Sequence, residues 1–254
     1  MTRAPAAAAP WLRMVRAQTA MELHLTARRF ENLFVMLVIP PALLAFFGAV
    51  PVLSTGSVRP VDFLLPGVLT LAVISTAFVN LSISTGFERG YGVLKRLGGS
   101  PLPRSALLAA KLIAVALIEV IQVVLLVGIA VVAFGWRPGP DASIIVTVAA
   151  LVVGTFAFSG VGLLLAGTLR AEATLALANA LFLFFLMLGG VVLPLSHLPA
   201  SLAAVARLLP AAALSDLVRV GLGAGPSDLL APWIVLAAWG LGAVVLAVRA
   251  FHWE

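Results

Sequence analysis

The sequence predicts an all-α polytopic membrane protein, with six transmembrane helices preceded by an N-terminal interfacial helix, and three observations carry that prediction. Of its 254 residues 62% are hydrophobic and only 10% charged, far from the balance of a soluble globular chain. Mean hydropathy is +1.16. The apolar residues also gather into six runs, 32–53, 63–86, 107–134, 143–168, 174–195 and 229–250. Each run has about the 20 residues a helix needs to cross a hydrocarbon core of about 30 Å.

The elements follow in chain order. Residues 1–30 contain arginines but lack the unbroken apolar core of a cleaved signal, so they are read as retained. Trp11, Met14, Met21 and Leu25 recur at helical spacing, with Ala17 and Gln18 completing the stripe and Arg13, Arg16 and His24 opposite. That pattern predicts an interfacial helix over 11–30; a solvated helix is the alternative, because Leu12, Val15 and Leu23 interrupt the polar side. The first span carries Pro40 and Pro41 mid-run, so a bend is expected there, tolerable where neighbours satisfy the freed carbonyls. The stretch Pro194 to Leu222 is too interrupted by Pro194, Pro199, Pro210, His197, Arg207, Asp216 and Arg219 to be a seventh span.

Six spans place both termini on one side, and short cytoplasmic loops carry the lysine and arginine excess. With the N-terminus inside, the inner segments hold Arg3, Arg13, Arg16, Arg28, Arg29, Arg89, Lys95, Arg96, Arg104, Lys111, Arg170 and Arg249. The outer segments hold only Arg59, Arg137, Arg207 and Arg219. Both termini are therefore expected in the cytoplasm, and residues 1–254 are read as a single membrane domain, since no loop is long enough to bury a core of its own. The formal charge of +6 fits basic loops held against anionic lipid, and no nucleic-acid partner is expected. With no cysteine there is neither a disulfide nor a thiolate metal site, and no metal site is expected. An excess of arginine over lysine, with abundant alanine, hints at a GC-rich bacterial genome.

The most informative interruption is FERGYGVLKRLGGSPLPRSALLAAK, Phe87 to Lys111, which holds five of the sixteen basic residues: Arg89, Lys95, Arg96, Arg104 and Lys111. A Gly98-Gly99-Ser100-Pro101 break and Pro103 separate a short helix from the third span. The expected product lies across the membrane surface and presents its charges, with Leu94 and Leu97, to a soluble partner. Ordinary positive-inside anchoring is the competing reading.

This loop resembles the cytoplasmic signature of type-2 ATP-binding-cassette exporter permeases, especially the daunorubicin-resistance-like branch, of the form E-R-E-x-G-T-L-x-x-L-x-x-x-P-L-x-R with a lysine some residues on. Glu88, Arg89, Gly92, Leu94, Leu97, Pro101, Leu102, Arg104 and Lys111 match it, whereas Gly90 and Val93 replace the second acid and the threonine. A second stretch, Gly189 to Arg219, resembles the family's extracellular segment through Pro194, Leu198, Pro199, Leu209, Pro210, Asp216 and Arg219.

The resemblance implies a permease that pairs with a second copy, or with a paralogous permease, and binds two copies of a cytoplasmic ATPase. It implies a coupling loop over 87–106, with Glu88, Arg89, Leu94, Lys95, Arg96, Leu97, Pro101 and Arg104 at the ATPase. It also implies an extracellular re-entrant helical segment over 196–222, in which Pro194, Pro199, Pro210, Asp216 and Arg219 form an outer gate. Asp216 and Arg219, three apart, are expected to pair locally. The chain lacks the G-x-x-x-x-G-K-[ST] phosphate loop. It is therefore expected to be no enzyme and to bind no cofactor itself, with ATP and magnesium on the partner. The implied setting is a bacterial plasma membrane, and the implied cargo a drug, an antibiotic, a lipid or a polysaccharide.

Polar residues within spans are costly and usually face protein or water, which singles out Asn80, Glu119, Gln122 and Asn179. At 1.5 Å per residue they sit roughly 10–16 Å from the nearest cytoplasmic charge, a depth that suits a chamber loaded from inside. For the amides, hydrogen bonding between helices is the plainer reading. Two readings of Glu119 stand open: a cation-attracting pathway residue, and a buried carboxyl that is protonated or paired. A small dimeric secondary transporter with Glu119 as ion or proton relay is the rival function, though no internal repeat supports it. An intramembrane hydrolase is disfavoured because His24, His197 and His252 lie in loops or at ends. Gly154, Gly160, Gly162, Gly167, Gly240 and Gly242 are expected to allow close helix approach, mostly within the chain.

Overall fold

A computed structural model describes residues 9–49, 59–191, 194–225 and 229–250, and every regular element among them is helical. Helix α1 (Trp11–Arg28) turns at Arg29 into α2 (Phe30–Ala49). Three segments follow without a break: α3 (Pro60–Val73), a π-helical segment (Ile74–Asn80) and α4 (Leu81–Gly90). Then come the short α5 (Val93–Gly98), α6 (Arg104–Phe134), α7 (Ile144–Thr168) and α8 (Ala171–Leu188). A 3₁₀ turn (Leu195–His197) leads to α9 (Ala200–Ala206), α10 (Pro210–Gly221) and α11 (Leu230–Ala250).

Five of these helices are long and apolar enough to cross a membrane: Pro60–Gly90, α6, α7, α8 and Leu230–Ala247. The first predicted run, 32–53, is helical through Ala49 with an apolar stretch of Met36–Ala49; residues 50–53 lie outside the described ones. The run 174–195 ends earlier than expected, at Leu188. Gly189 and Gly190 stop it, with Gly190 at φ 64° in the left-handed region. α9 and α10 are bent against each other by 83°.

The Pro60–Gly90 span is the shaft of the bundle. Over its most apolar stretch 83% of residues are buried, against 50% in α7, 33% in α6 and 22% in both α8 and α11. Burial on all sides explains why its sequence is apolar all round rather than striped. Phe78 of the π segment, Phe158 of α7 and Phe185 of α8 meet there, with ring centroids 5.5–6.4 Å apart. Close approach needs a missing side chain: a Cβ on Gly162 would come within 2.9 Å of Ser82 Oγ and 3.1 Å of the Phe78 carbonyl. Gly154 and Gly160 likewise meet Leu214 and Ala243, so these α7 glycines serve contacts within the chain, whereas Gly242 faces open space.

Helix α1 lies against α6 by a face that sequence periodicity did not single out. Val15 packs with Ala106 and Ala110, the Thr19 hydroxyl reaches the Ala110 carbonyl, and the Trp11 indole donates to Ser105 Oγ at 3.3 Å. Val15, taken from the sequence as a blemish on the polar side, is thus the anchor.

Candidate functional site

Two clusters and one cavity gather most of the predicted residues. The first cluster stands where the central span ends. Glu88, in the last turn of α4, is 9% exposed and accepts from Lys111 Nζ at 2.7 Å. The same ammonium donates to Glu22 of α1 at 3.1 Å. Lys111 itself is only 2% exposed, and a lysine so buried persists because two carboxylates satisfy it. One side chain on α6 therefore ties α1 to α4.

Arg89, the next residue, turns the other way and donates to the carbonyls of Gly167 and Leu169 at the end of α7. Helix C-termini leave carbonyls without intrahelical partners and carry partial negative charge, so a guanidinium fits there. Gly92 then adopts φ 70°, the left-handed conformation that lets the chain reverse into α5. Leu94 is fully buried, packed with Leu107, Leu97 and Leu102.

Sequence reading had turned Leu94 and Leu97 toward the cytoplasm, and that orientation is corrected: both pack onto the start of α6. The outer face of α5 is instead made by Val93, Lys95 and Arg96, with Tyr91, 73% exposed, in the turn before it, while Pro101 and Arg104 are exposed beyond it. Glu88 and Arg89 point into the bundle. Glu22 was missed as a site residue, and Lys111 was matched to the signature without a role. The signal for Glu22 was a lone acid at helical spacing from Val15 and Thr19, and for Lys111 a lone lysine inside an apolar run.

The four intramembrane polar residues divide. Asn80 and Asn179 line a cavity of about 370 Å³ between α2, the central span and α8, with Ser75, Met36, Pro40 and Phe182 among its other walls. Asn179 also donates to the Leu175 carbonyl on its own helix. Gln122 lies behind that wall: it accepts from Thr76 Oγ1 and donates to the Met36 carbonyl, both at 2.9 Å. Met36 is four residues before Pro40, whose ring nitrogen has no hydrogen to offer it. Gln122 thus satisfies the carbonyl that the proline frees. Glu119 is buried on α6 with one oxygen bonded to Thr155 Oγ1 and the other without a protein partner. A shared chamber for all four is not what forms.

The second cluster stands at the far end of the central span. Pro194, Pro199 and Pro210 each sit at the start of a short helix, Pro210 as the first residue of α10. Arg219 donates to the Phe63 carbonyl at 2.9 Å and the Gly190 carbonyl at 2.7 Å, with its guanidinium 4.0 Å from the Phe63 ring centroid. Asp216 lies close enough to act on Arg219 electrostatically, but the expected local pair does not close into contact: among the described residues the contact ion pairs are Arg59–Asp62, Lys111–Glu22 and Lys111–Glu88. Arg219 reaches across to α3 and the end of α8 because its planar fork matches two carbonyls at once.

A bundle with five helices fit to cross a membrane, a buried charged joint at one end and a bent helical pair at the other defines a polytopic membrane protein. The family model described as ABC-2 type transporter matches residues 15–222, and the chain belongs to that family. It is a transmembrane permease subunit of an ABC transporter, and the family implies an ABC ATPase as partner. No curated protein matches the chain.

Proposed function

We propose that this chain is the six-span permease of an ATP-driven exporter of the daunorubicin-resistance-like branch, in a bacterial plasma membrane with both termini cytoplasmic. Two copies of a separate ATPase, carrying ATP and magnesium, drive it, and it acts as a homodimer or with a paralogous permease. The cargo is a drug-like compound, a lipid or a polysaccharide taken from the cytoplasm or inner leaflet outward.

The observation that carries this reading is the double clamp at Glu88 and Arg89. Tyr91, Val93, Lys95 and Arg96 supply an exposed docking face at α5. The two preceding residues fasten that face to α6, α1 and α7. A push on α5 is delivered to the most buried span rather than absorbed by a loop. That span carries the π segment, and α2 beside it carries two prolines, so the wall of the Asn80–Asn179 cavity contains the most deformable backbone in the bundle. The cavity serves as the substrate path, and α9 with α10 closes its outer end.

The test is co-purification of the tagged permease with a candidate ABC ATPase, followed by a search for compounds that stimulate hydrolysis. Capture that is lost in Lys95→Ala/Arg96→Ala supports the reading; no capture by the unaltered chain overturns it. Glu119 does not line that cavity, so Glu119→Gln is expected to leave export and ATPase capture unchanged; lower export of a cationic compound would put that carboxyl on the path.

A further inference from the structure

The walls of the Asn80–Asn179 cavity restrict the chemistry of what can occupy it. The π segment presents Ser75 and Asn80 to it, and α8 presents Asn179 with Leu175 one turn before. Among the described residues, none that line it carries an ionisable group. Its polar atoms are neutral and few. Ser75 Oγ donates to the Ala72 carbonyl at 2.9 Å and keeps its lone pairs, and Asn179 gives one N–H to the Leu175 carbonyl. The second N–H and the carbonyl of Asn179 are left for a ligand. Asn80 makes no side-chain hydrogen bond among the described residues, so its whole amide is free to bind. The carbonyl that Pro40 frees at Met36 already accepts from Gln122, which leaves no bare backbone oxygen there to draw in a cation. At the mouth, Ile39 is 48% exposed and Leu175 38%. A molecule reaches the amides past aliphatic side chains.

We propose that the cargo is an uncharged amphiphile: an apolar body of drug-like size with one polar end, a carboxamide or an alcohol, that both donates and accepts. This assignment rests on the cavity being the substrate path, and it narrows what passes along it. An ionised cargo would leave water for a site that holds no counter-charge. A polysaccharide would bring several hydroxyls per sugar to three polar side chains, and most would stay unsatisfied. An asparagine amide offers donors and an acceptor together, so two of them suit a neutral group of the same kind. A neutral body also enters from the hydrocarbon, where an ion is costly.

The test uses the full chain in nanodiscs and three light-activated probes that share a benzophenone body and end in a carboxamide, a carboxylate or a primary amine. Cross-linked peptides are located by mass spectrometry. The carboxamide should label the peptides holding Asn80 and Asn179 roughly ten-fold more than either ionised probe. That comparison is made on the unaltered chain, so misfolding of a variant cannot imitate it. Asn80→Leu/Asn179→Leu should lower carboxamide labelling roughly ten-fold, the loss of one or two hydrogen bonds, while Glu119→Gln leaves it unchanged. Equal labelling by the three probes, none by the carboxamide, or labelling indifferent to the Leu changes overturns the assignment. Failure of the exporter reading looks different: no ATPase is captured, yet the carboxamide still labels the cavity. Capture of the ATPase with hydrolysis stimulated only by ionised compounds rejects the neutral cargo alone.

Discussion

At the α5 end of the bundle a buried lysine is held by two carboxylates from two other helices. At the α9–α10 end a half-buried arginine is held by two backbone carbonyls and an aromatic ring. Both cations join three segments of chain, but their partners differ in kind. Ion pairs fall off slowly with distance and tolerate small shifts, so the Lys111 joint can travel as a body. Carbonyl hydrogen bonds weaken steeply with angle, so Arg219 holds only while Gly190 and Phe63 keep their places. On the proposed function, one end suits being moved and the other registering that movement.

The sharpest way to break this contrast is Lys111→Met, which leaves the buried Glu88 and the partly buried Glu22 without their cation. A loss of about 3–5 kcal/mol is expected, read as a fall in unfolding midpoint and in monodisperse yield; an unchanged midpoint would remove the joint from the account. Arg219→Lys keeps the charge but not the fork. It should cost about 1.5–3 kcal/mol, the worth of one charge-assisted hydrogen bond, with export more impaired than ATPase capture. If capture fell equally, the two ends would not be functionally separate.

Between the ends, Gln122→Leu should cost roughly 0.6 kcal/mol by orphaning the Met36 carbonyl. Combining it with Pro40→Ala, which returns an amide donor, should recover most of the loss, and additive effects would refute the pairing. The smallest stability effect, within about 0.5 kcal/mol, is expected of Lys95→Ala/Arg96→Ala. Its mark is instead slower ATPase association that grows milder with added salt.

Hydropathy located the spans because bilayer thickness sets a length that composition must meet. It overran α8 because apolar residues continue past Gly189 and Gly190, where the backbone leaves the helix. The α5 segment was legible as punctuated and basic, yet its inner and outer sides were reversed at Leu94, whose partner Leu107 lies across a turn. Glu22 and Lys111 were invisible as a pair because they are 89 residues apart and each alone reads as an anchor. Arg219 was matched to Asp216 by spacing on one helix, whereas its ligands are carbonyls, which carry no sequence signature at all. The π segment had none either, since ISTAFVN is as compatible with an α-helix.

That π segment makes chain length a structural variable. An i→i+5 turn accommodates about one residue more than an α-turn, and in an α-helix each residue adds about 100° of rotation and 1.5 Å of rise. Deleting a single residue between Ile74 and Asn80 would let the span close into uninterrupted α-helix. Everything from Leu81 to Gly90 would then keep nearly its present register, whereas the same deletion upstream, in Pro60–Val73, would turn Glu88 off Lys111 and Arg89 off the end of α7. In this molecule an insertion or deletion elsewhere in that apolar helix is a change of gearing, felt furthest from where it is made, and the π segment is a place where one residue can be taken up.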